Sequence, residues 1–546
     1  MVERDRRLAR DLRISAAVSE AWWRSGAIYQ VYPRSFQDSN GDGIGDLEGI
    51  RRRLDYLAWL GVEAIWISPI YPSPMHDFGY DVADYCGIDP IFGSLEGFDR
   101  LVAEAHALGL KIILDFVPNH TSILHPWFAA SRRSRFDPKR DWYIWRDPAP
   151  GGGPPNNWIS NFGGSAWTFD EQTGQYYYHA YLAQQPDLNW RNREVRAAMH
   201  AAMRFWLRRG VDGFRVDVIW HLIKDAALRD NPPNPAWTPQ RPEIERLIEA
   251  HSADQPEVHG VIAELRGLID EFDNCVLIGE IYLPIERLVA YYGEGLSGAH
   301  LPFNFQLLQT PWAAGPIARL IETYEVALPE GGWPNWVLSN HDRPRIKARV
   351  GPDQARVAAM LLLTLRGTPT LYYGDELGIG DVEIPPDRIC DPWAKREPGR
   401  GVGRDPERTP MQWDATAFAG FSTHEPWLPL TPDWRTRNVA AMRADPASIL
   451  SLTRALLHYR RTRASLSIGL WRLLACEGDL LAFERRNEHE RTIVALNLGA
   501  AAQVWSLPPE LPKLKIAIST HCDRDGEPVG PALSLRANEG LALEPI

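Results

Sequence analysis

Eight short β-rich runs alternate with helix-like stretches along this chain: AIYQVYP (27–33), AIWISP (64–69), KIILDFV (111–117), GFRVDV (213–218), CVLIGEI (275–281), PFNFQLL (302–308), NWVLSN (335–340) and PTLYYG (369–374). Segments between them, such as Leu47–Leu60 and Gly97–Leu108, place apolar residues at helical spacing, an alternation that implies parallel strands. Eight such units are the number that closes a (β/α)₈ TIM barrel, whose chemistry sits at the carboxyl ends of its strands.

Two connections are too long for simple βα loops. The first, Thr121 to Trp190, carries GGGPPNN (151–157) and YYYHAY (176–181) and is expected to form an inserted subdomain after the third strand. The second, His221 to Asp273, contains NPPNPAWTPQRP (231–242), a stiff Pro-rich excursion after the fourth strand that is expected to restrict the entrance to short substrates. From about Ser465 the pattern changes to short runs, LLAFERR (480–486), TIVALNL (492–498) and KIAIST (515–520), expected to form an antiparallel β-sandwich. The expected division is therefore a barrel over 1–120 and 191–464, an insertion over 121–190 and a C-terminal sandwich over 465–546.

Four polar clusters fall at strand ends: Asp115 with Asn119 and His120, Arg215 with Asp217, Glu280, and Asn340 with His341 and Asp342. Each alone has an ordinary explanation, a helix cap or a structural histidine. Their succession at the ends of barrel strands is what points to chemistry. A pair of carboxyl groups on neighbouring strands suits glycoside cleavage, where one attacks the anomeric carbon and the other protonates the leaving oxygen. Arg215, two residues before Asp217, points to the same side of the strand and is expected to favour its ionised form.

The chain resembles the α-amylase family, glycoside hydrolase family 13, over nearly its whole length, through DFVPNH (115–120), QPDLNW (185–190), GFRVD (213–217), GE (279–280), NHD (340–342) and RTPMQW (408–413). Within it the chain looks like the oligo-1,6-glucosidase and α-glucosidase branch. That resemblance implies Asp217 as nucleophile, Glu280 as general acid/base and Asp342 as the third carboxylate that holds sugar hydroxyls. It also implies Asp77, Tyr80, His120, Arg215, His341 and Arg408 around the terminal glucose. The implied activity is retaining, exo-acting hydrolysis of terminal α-linked glucose from disaccharides and short oligosaccharides. Rival readings are a transporter-associated ectodomain without catalysis, a sugar-rearranging relative of the trehalose synthase or sucrose isomerase type, and an endo-acting amylase. Val218 resembles the α-1,6-preferring members; alternatively it is simply a β-branched residue ending a strand.

DSNGDGIGD (38–46) follows the start of a calcium loop, with oxygens from Asp38, Asn40, Asp42, the Ile44 carbonyl and Asp46, although Gly49 stands where the bidentate Glu would be. Similar loops in this branch imply a structural Ca²⁺ or Mg²⁺ away from the sugar. The alternative is a polar Gly-rich turn. No organic cofactor is implied.

Charge narrows the partners. A net charge of −11 and a pI near 5.8 argue against nucleic acid, leaving small α-glucosides as the expected ligands. The 22 tryptophans suit a site that packs against pyranose faces. Five cysteines without paired spacing, no secretory h-region over Met1 to Glu20 and no membrane-length apolar window lead to the expectation of a cytoplasmic protein.

Overall fold

A computed structural model describes residues 21–546, so the reading of Met1 to Glu20 lies outside the described residues. The first three strands, β1 (Ile28–Val31), β2 (Ala64–Ile67) and β3 (Lys111–Phe116), pair in parallel. Their helices are set by local chemistry. Ser94 caps Leu95–Ala107 by accepting from the Gly97 N–H, and that helix buries Phe98, Leu101, Val102 and Ala105. The stretch 47–60 is two helices rather than one, Leu47–Arg52 and Leu54–Leu60, because Arg53 leaves helical geometry at φ −108° and ψ 7°.

Between β3 and the next barrel strand the chain forms a small antiparallel sheet of β4 (Trp145–Arg146), β5 (Trp167–Asp170) and β6 (Gln175–Tyr178). Trp158, Trp167 and Tyr178 form its core, and Trp158 Nε1 donates to the Arg229 carbonyl, tying the insertion to the later excursion. The barrel resumes with β7 (Gly213–Val216), β8 (Val276–Ile281), β9 (Leu301–Asn304), β10 (Asn335–Val337) and β11 (Thr368–Tyr372). The eight parallel strands run in the order β10-β11-β1-β2-β3-β7-β8-β9, and the two edges lie beside each other, so all eight expected strands are present in one nearly closed barrel. Strand approach is tight at Gly213, where a Cβ would meet the Val276 carbonyl oxygen at 2.3 Å.

Strand alternation sorts the barrel interior. At its amino-terminal end Ile28, Trp66, Ile113, Val276, Ile278, Leu301 and Phe303 fill the bore with apolar side chains. Two residues further along the same faces stand Gln30, Asp115 and Glu280, with Arg215 on β7, so the interior turns polar where the strands end. A core of ring and branched side chains outside the strands joins the barrel to its helices.

The chain ends in an antiparallel unit of β12 (Leu470–Glu477), β13 (Leu480–Arg486), β14 (Arg491–Asn497), β15 (Gln503–Ser506), β16 (Leu514–Ser519), β17 (Pro528–Val529), β18 (Ala532–Leu535) and β19 (Gly540–Pro545). A six-stranded sheet, β12-β13-β14-β19-β16-β17, and a β15-β18 ribbon enclose Leu480, Ile493, Trp505, Leu533 and Leu541. Among the described residues no helix is long and apolar enough to cross a membrane.

Candidate active site

Arg215 organises the polar end of the bore. Fully buried, its Nη1 donates to Asp115 Oδ1 at 2.8 Å and to Asp217 Oδ1 at 2.7 Å, while Nη2 lies 2.8 Å from Glu280 Oε2 in an ion pair outside hydrogen-bond geometry. One guanidinium thus touches three carboxylates. Burial alone would discharge it, but Asp115, Glu280 and Asp217 outweigh that and keep Arg215 firmly cationic. Burial and Glu280 push Asp217 well above its ordinary range against the pull of Arg215, which therefore does not by itself keep it ionised, while burial and the neighbouring Asp342 and Asp115 carboxylates push Glu280 up.

The Glu280 carboxylate has a second anchor. Its Oε2 accepts the backbone N–H of Val218 at 2.8 Å. Val218 follows β7 with φ 38° and ψ 47°, a left-handed conformation that is an outlier for a β-branched residue. A preference for β geometry therefore does not explain Val218, and that alternative is set aside.

Tyr80 and His341 form the next wall. Their rings stack at 5.3 Å and 5°, Tyr80 Oη donates to Asp115 Oδ2 at 2.9 Å, and it lies 2.7 Å from His341 Nε2. Burial lowers His341 to about 3, so its imidazole is neutral. Asp342 is bound by Arg408 Nη2 at 2.9 Å and Arg404 Nη1 at 3.3 Å. Burial opposes its charge, but His341, Arg404 and Arg408 prevail and hold it below the usual carboxylate range.

His120, lowered by burial to about 4, sits with Nε2 3.0 Å from the Tyr80 carbonyl and its ring 5.3 Å from Tyr181. The QPDLNW segment sets this up. Asp187 pairs with buried Lys224 at 2.5 Å and accepts from Asn119, while Gln185 Nε2 reaches Asp77 Oδ2 at 3.3 Å.

Asp77, Tyr80, His120, Asp217, Glu280, His341 and Asp342 line one cavity of about 480 Å³. Arg215 and Arg408 do not stand on its wall; both are fully buried, Arg215 bonded to Asp115 and Asp217 and Arg408 to Asp342 and the His341 carbonyl. Sequence reasoning missed Arg404, whose Nη2 reaches Asp77 Oδ1 and Asp391 Oδ1, both at 2.6 Å. Its one signal was a position four residues before Arg408. The Pro-rich excursion also reaches the cavity through Asn234, Pro242, Ile244, Glu245 and Leu247 to Glu249.

The model of the α-amylase catalytic domain matches residues 30–469. The chain belongs to the α-amylase family. Among its curated α-amylase-family relatives, a probable α-glucosidase of Rhizobium meliloti (strain 1021) is 42% identical over 504 residues, covering 89% of this chain and 91% of the relative. An oligo-1,6-glucosidase of Heyndrickxia coagulans is 38% identical over 535 residues, covering 90% and 95%. Among solved structures of similar fold, the α-glucosyl transfer enzyme XgtA superposes with a TM-score of 0.91 at 40% identity, covering 97% of this chain and all of that one. The trehalulose synthase MutB from Pseudomonas mesoacidophila MX-45 gives 0.88 at 33%, covering 96% and 100%.

The loop 38–46 lies away from the cavity. Asp38 Oδ1 accepts from the Asn40 and Gly41 N–H groups, and its Oδ2 from Gly43 N–H and Ser422 Oγ. Asp42 Oδ1 accepts from Ile44 N–H, and Asp46 accepts from Gly49 and Ser39, the first bond capping the helix Leu47–Arg52. Among the described residues no three acidic, histidine or cysteine groups converge on one point. Asn40 Oδ1 likewise accepts the Asp42 N–H, so the oxygens of the loop are engaged by its own backbone.

Proposed function

We propose that the protein is a retaining, exo-acting α-glucosidase that releases terminal α-linked glucose from disaccharides and short oligosaccharides. One observation carries the stereochemistry: Asp217 and Glu280 both touch the Arg215 guanidinium, at 2.7 and 2.8 Å. Retention needs carboxyl groups about 5 to 5.5 Å apart, whereas inversion needs room for a water, roughly 6.5 to 9.5 Å. Two carboxylates on one guanidinium suit the shorter spacing.

In this reading Asp217, which takes a full hydrogen bond from Arg215, acts as the ionised nucleophile and Glu280, raised by burial and the nearby Asp342 and Asp115 carboxylates, carries the proton. Asp217 attacks the anomeric carbon as the glycosidic bond breaks, and Glu280 gives its proton to the departing oxygen. Glu280 then takes a proton from water, which displaces Asp217 and restores the original configuration. Asp342, kept ionised by Arg404 and Arg408, accepts from glucose hydroxyls, and Asp77 and neutral His120 and His341 complete that pocket.

The excursion residues that line the cavity, among them Pro242, Ile244 and Leu247, support exo action and short substrates. Initial rates on isomaltose, maltose, sucrose, trehalose and soluble starch test the assignment, with glucose release expected from disaccharides above starch. Similarity to the trehalulose synthase favours a second reading, sugar rearrangement, which conversion of sucrose to an isomer without free glucose would establish. Val218 supports isomaltose as the preferred disaccharide. The oxygen-rich loop 38–46 supports a structural Ca²⁺ or Mg²⁺. Five cysteines without a disulfide partner support a reducing, cytoplasmic location.

A further inference from the structure

Gln30 stands on β1, fully buried, and takes no part in the double displacement. Its Nε2 donates to Ser68 Oγ at 3.2 Å and lies 2.7 Å from His341 Nδ1, while its Oε1 has no hydrogen-bond partner. The sense of this amide follows from its surroundings. Turned over, it would leave two N–H groups unmet in place of one oxygen, and a buried unmet donor is the rarer and costlier of the two. Gln30 therefore donates, and His341 Nδ1 accepts.

The opposite edge of the ring requires the same arrangement. His341 Nε2 lies 2.7 Å from Tyr80 Oη and 3.2 Å from Asp342 Oδ2. The Tyr80 hydroxyl donates its hydrogen to Asp115, and the ionised Asp342 can only accept, so both call for a proton on Nε2. A neutral imidazole has one N–H to give, and which nitrogen carries it is set by the partner of the other. The ring plane is kept by stacking on Tyr80 at 5.3 Å and on Tyr32 at 5.8 Å, and Arg408 Nε donates to the His341 carbonyl at 2.7 Å.

We infer that Gln30 is a positioning residue: by donating to Nδ1 it fixes His341 as the Nε2–H tautomer, and through that proton it holds Tyr80 and Asp342 in the arrangement that receives the terminal glucose. This rests on the glucosidase reading above. Tyr80, His341 and Asp342 all line the cavity and Gln30 does not, so its effect passes through the imidazole. Without the donor, Nδ1 loses its partner and the proton is free to move there. Nε2 then turns a lone pair toward the Asp342 carboxylate, and the two repel.

The test is nitrogen NMR on the full chain with histidine labelled at its ring nitrogens, the unmodified protein beside Gln30→Met, which keeps the side-chain length and removes the donor. Signals lost in His341→Gln identify the ring. The expected spectrum of the unmodified protein shows His341 protonated on Nε2 and bare on Nδ1, a single pattern that Gln30→Met loses. In Gln30→Met, kcat/KM is expected to fall about tenfold, alike on maltose and p-nitrophenyl α-glucoside, because both present the same glucose. Added to His341→Gln, the same substitution should cost nothing further, since the two residues act as one unit. A proton on Nδ1 in the unmodified protein, an unchanged spectrum in Gln30→Met, or losses that add in the double variant would overturn the inference. Should Gln30→Met fail to fold, the tautomer of the unmodified protein decides alone. Failure of the unmodified protein to cleave either substrate would count against the glucosidase reading instead, and the spectra would still judge Gln30.

Discussion

The backbone N–H of Val218 donates to Glu280 Oε2 at 2.8 Å, and it does so from a left-handed conformation at φ 38°. Strain of this kind costs on the order of 1–3 kcal/mol and persists where the surroundings enforce it. Here the enforced conformation holds the Glu280 carboxyl against the end of β7.

Glycine should therefore be tolerated at 218 unusually well. In an ordinary buried strand end, Gly is less stable than Ala by about 1 kcal/mol. Both variants lose the buried Val218 methyls, but only Val218→Gly releases the positive φ, so it is expected to melt no lower than Val218→Ala. Thermal unfolding of the two proteins decides, and a Gly variant clearly below the Ala variant would mean the strain is absent.

Glu280→Gln is expected to reduce kcat on disaccharides by roughly 10²–10⁴ and to cost less on aryl glucosides, whose leaving groups depart without protonation. The pH profile carries a sign. Glu280 titrates above its ordinary range because burial and neighbouring carboxylates oppose its charge. Activity that needs its proton is present below the raised value and lost as pH rises through it, while the acid limb follows protonation of Asp217. Comparing pH–rate profiles should show the alkaline limb in the unmodified enzyme and its disappearance in Glu280→Gln on an activated substrate.

The barrel was legible because strand alternation and burial are local signals: all eight runs became β1–β3 and β7–β11. The carboxylates were legible because they end those runs. Arg404 was not, since its contact with Asp77 joins positions 327 residues apart and depends on how a loop folds over the barrel mouth. A Pro-rich composition marks a stiff segment but does not say which of its side chains turns inward. Arg215 was read as an aid to Asp217 alone, and its hold on Asp115 and Glu280 became visible only with three strands side by side.

The excursion makes a substrate-size prediction. With Pro242, Ile244, Glu245 and Leu247 to Glu249 on the cavity wall, further sugar units are expected to meet protein rather than transition-state contacts, so kcat/KM should fall from disaccharide to longer oligosaccharides. A maltose-to-maltohexaose series measures this. Rates climbing with length would show an open mouth.

Loop 38–46 should behave as a remote cation site. Chelator is expected to lower the melting temperature by a few degrees while leaving kcat nearly unchanged at temperatures where the fold survives, because an ion bound only by the native state stabilises by mass action. Calorimetric melts with and without added Ca²⁺, beside activity assays, check it. Activity lost at an unchanged melting temperature would put the metal in catalysis.

The anomeric form of the first product tests the two carboxylates held on Arg215 most directly. Proton NMR during the first turnovers, before mutarotation, should show α-glucose released from an α-linked disaccharide. β-Glucose as the initial product would mean that water attacks directly between Asp217 and Glu280, and the double displacement would be wrong.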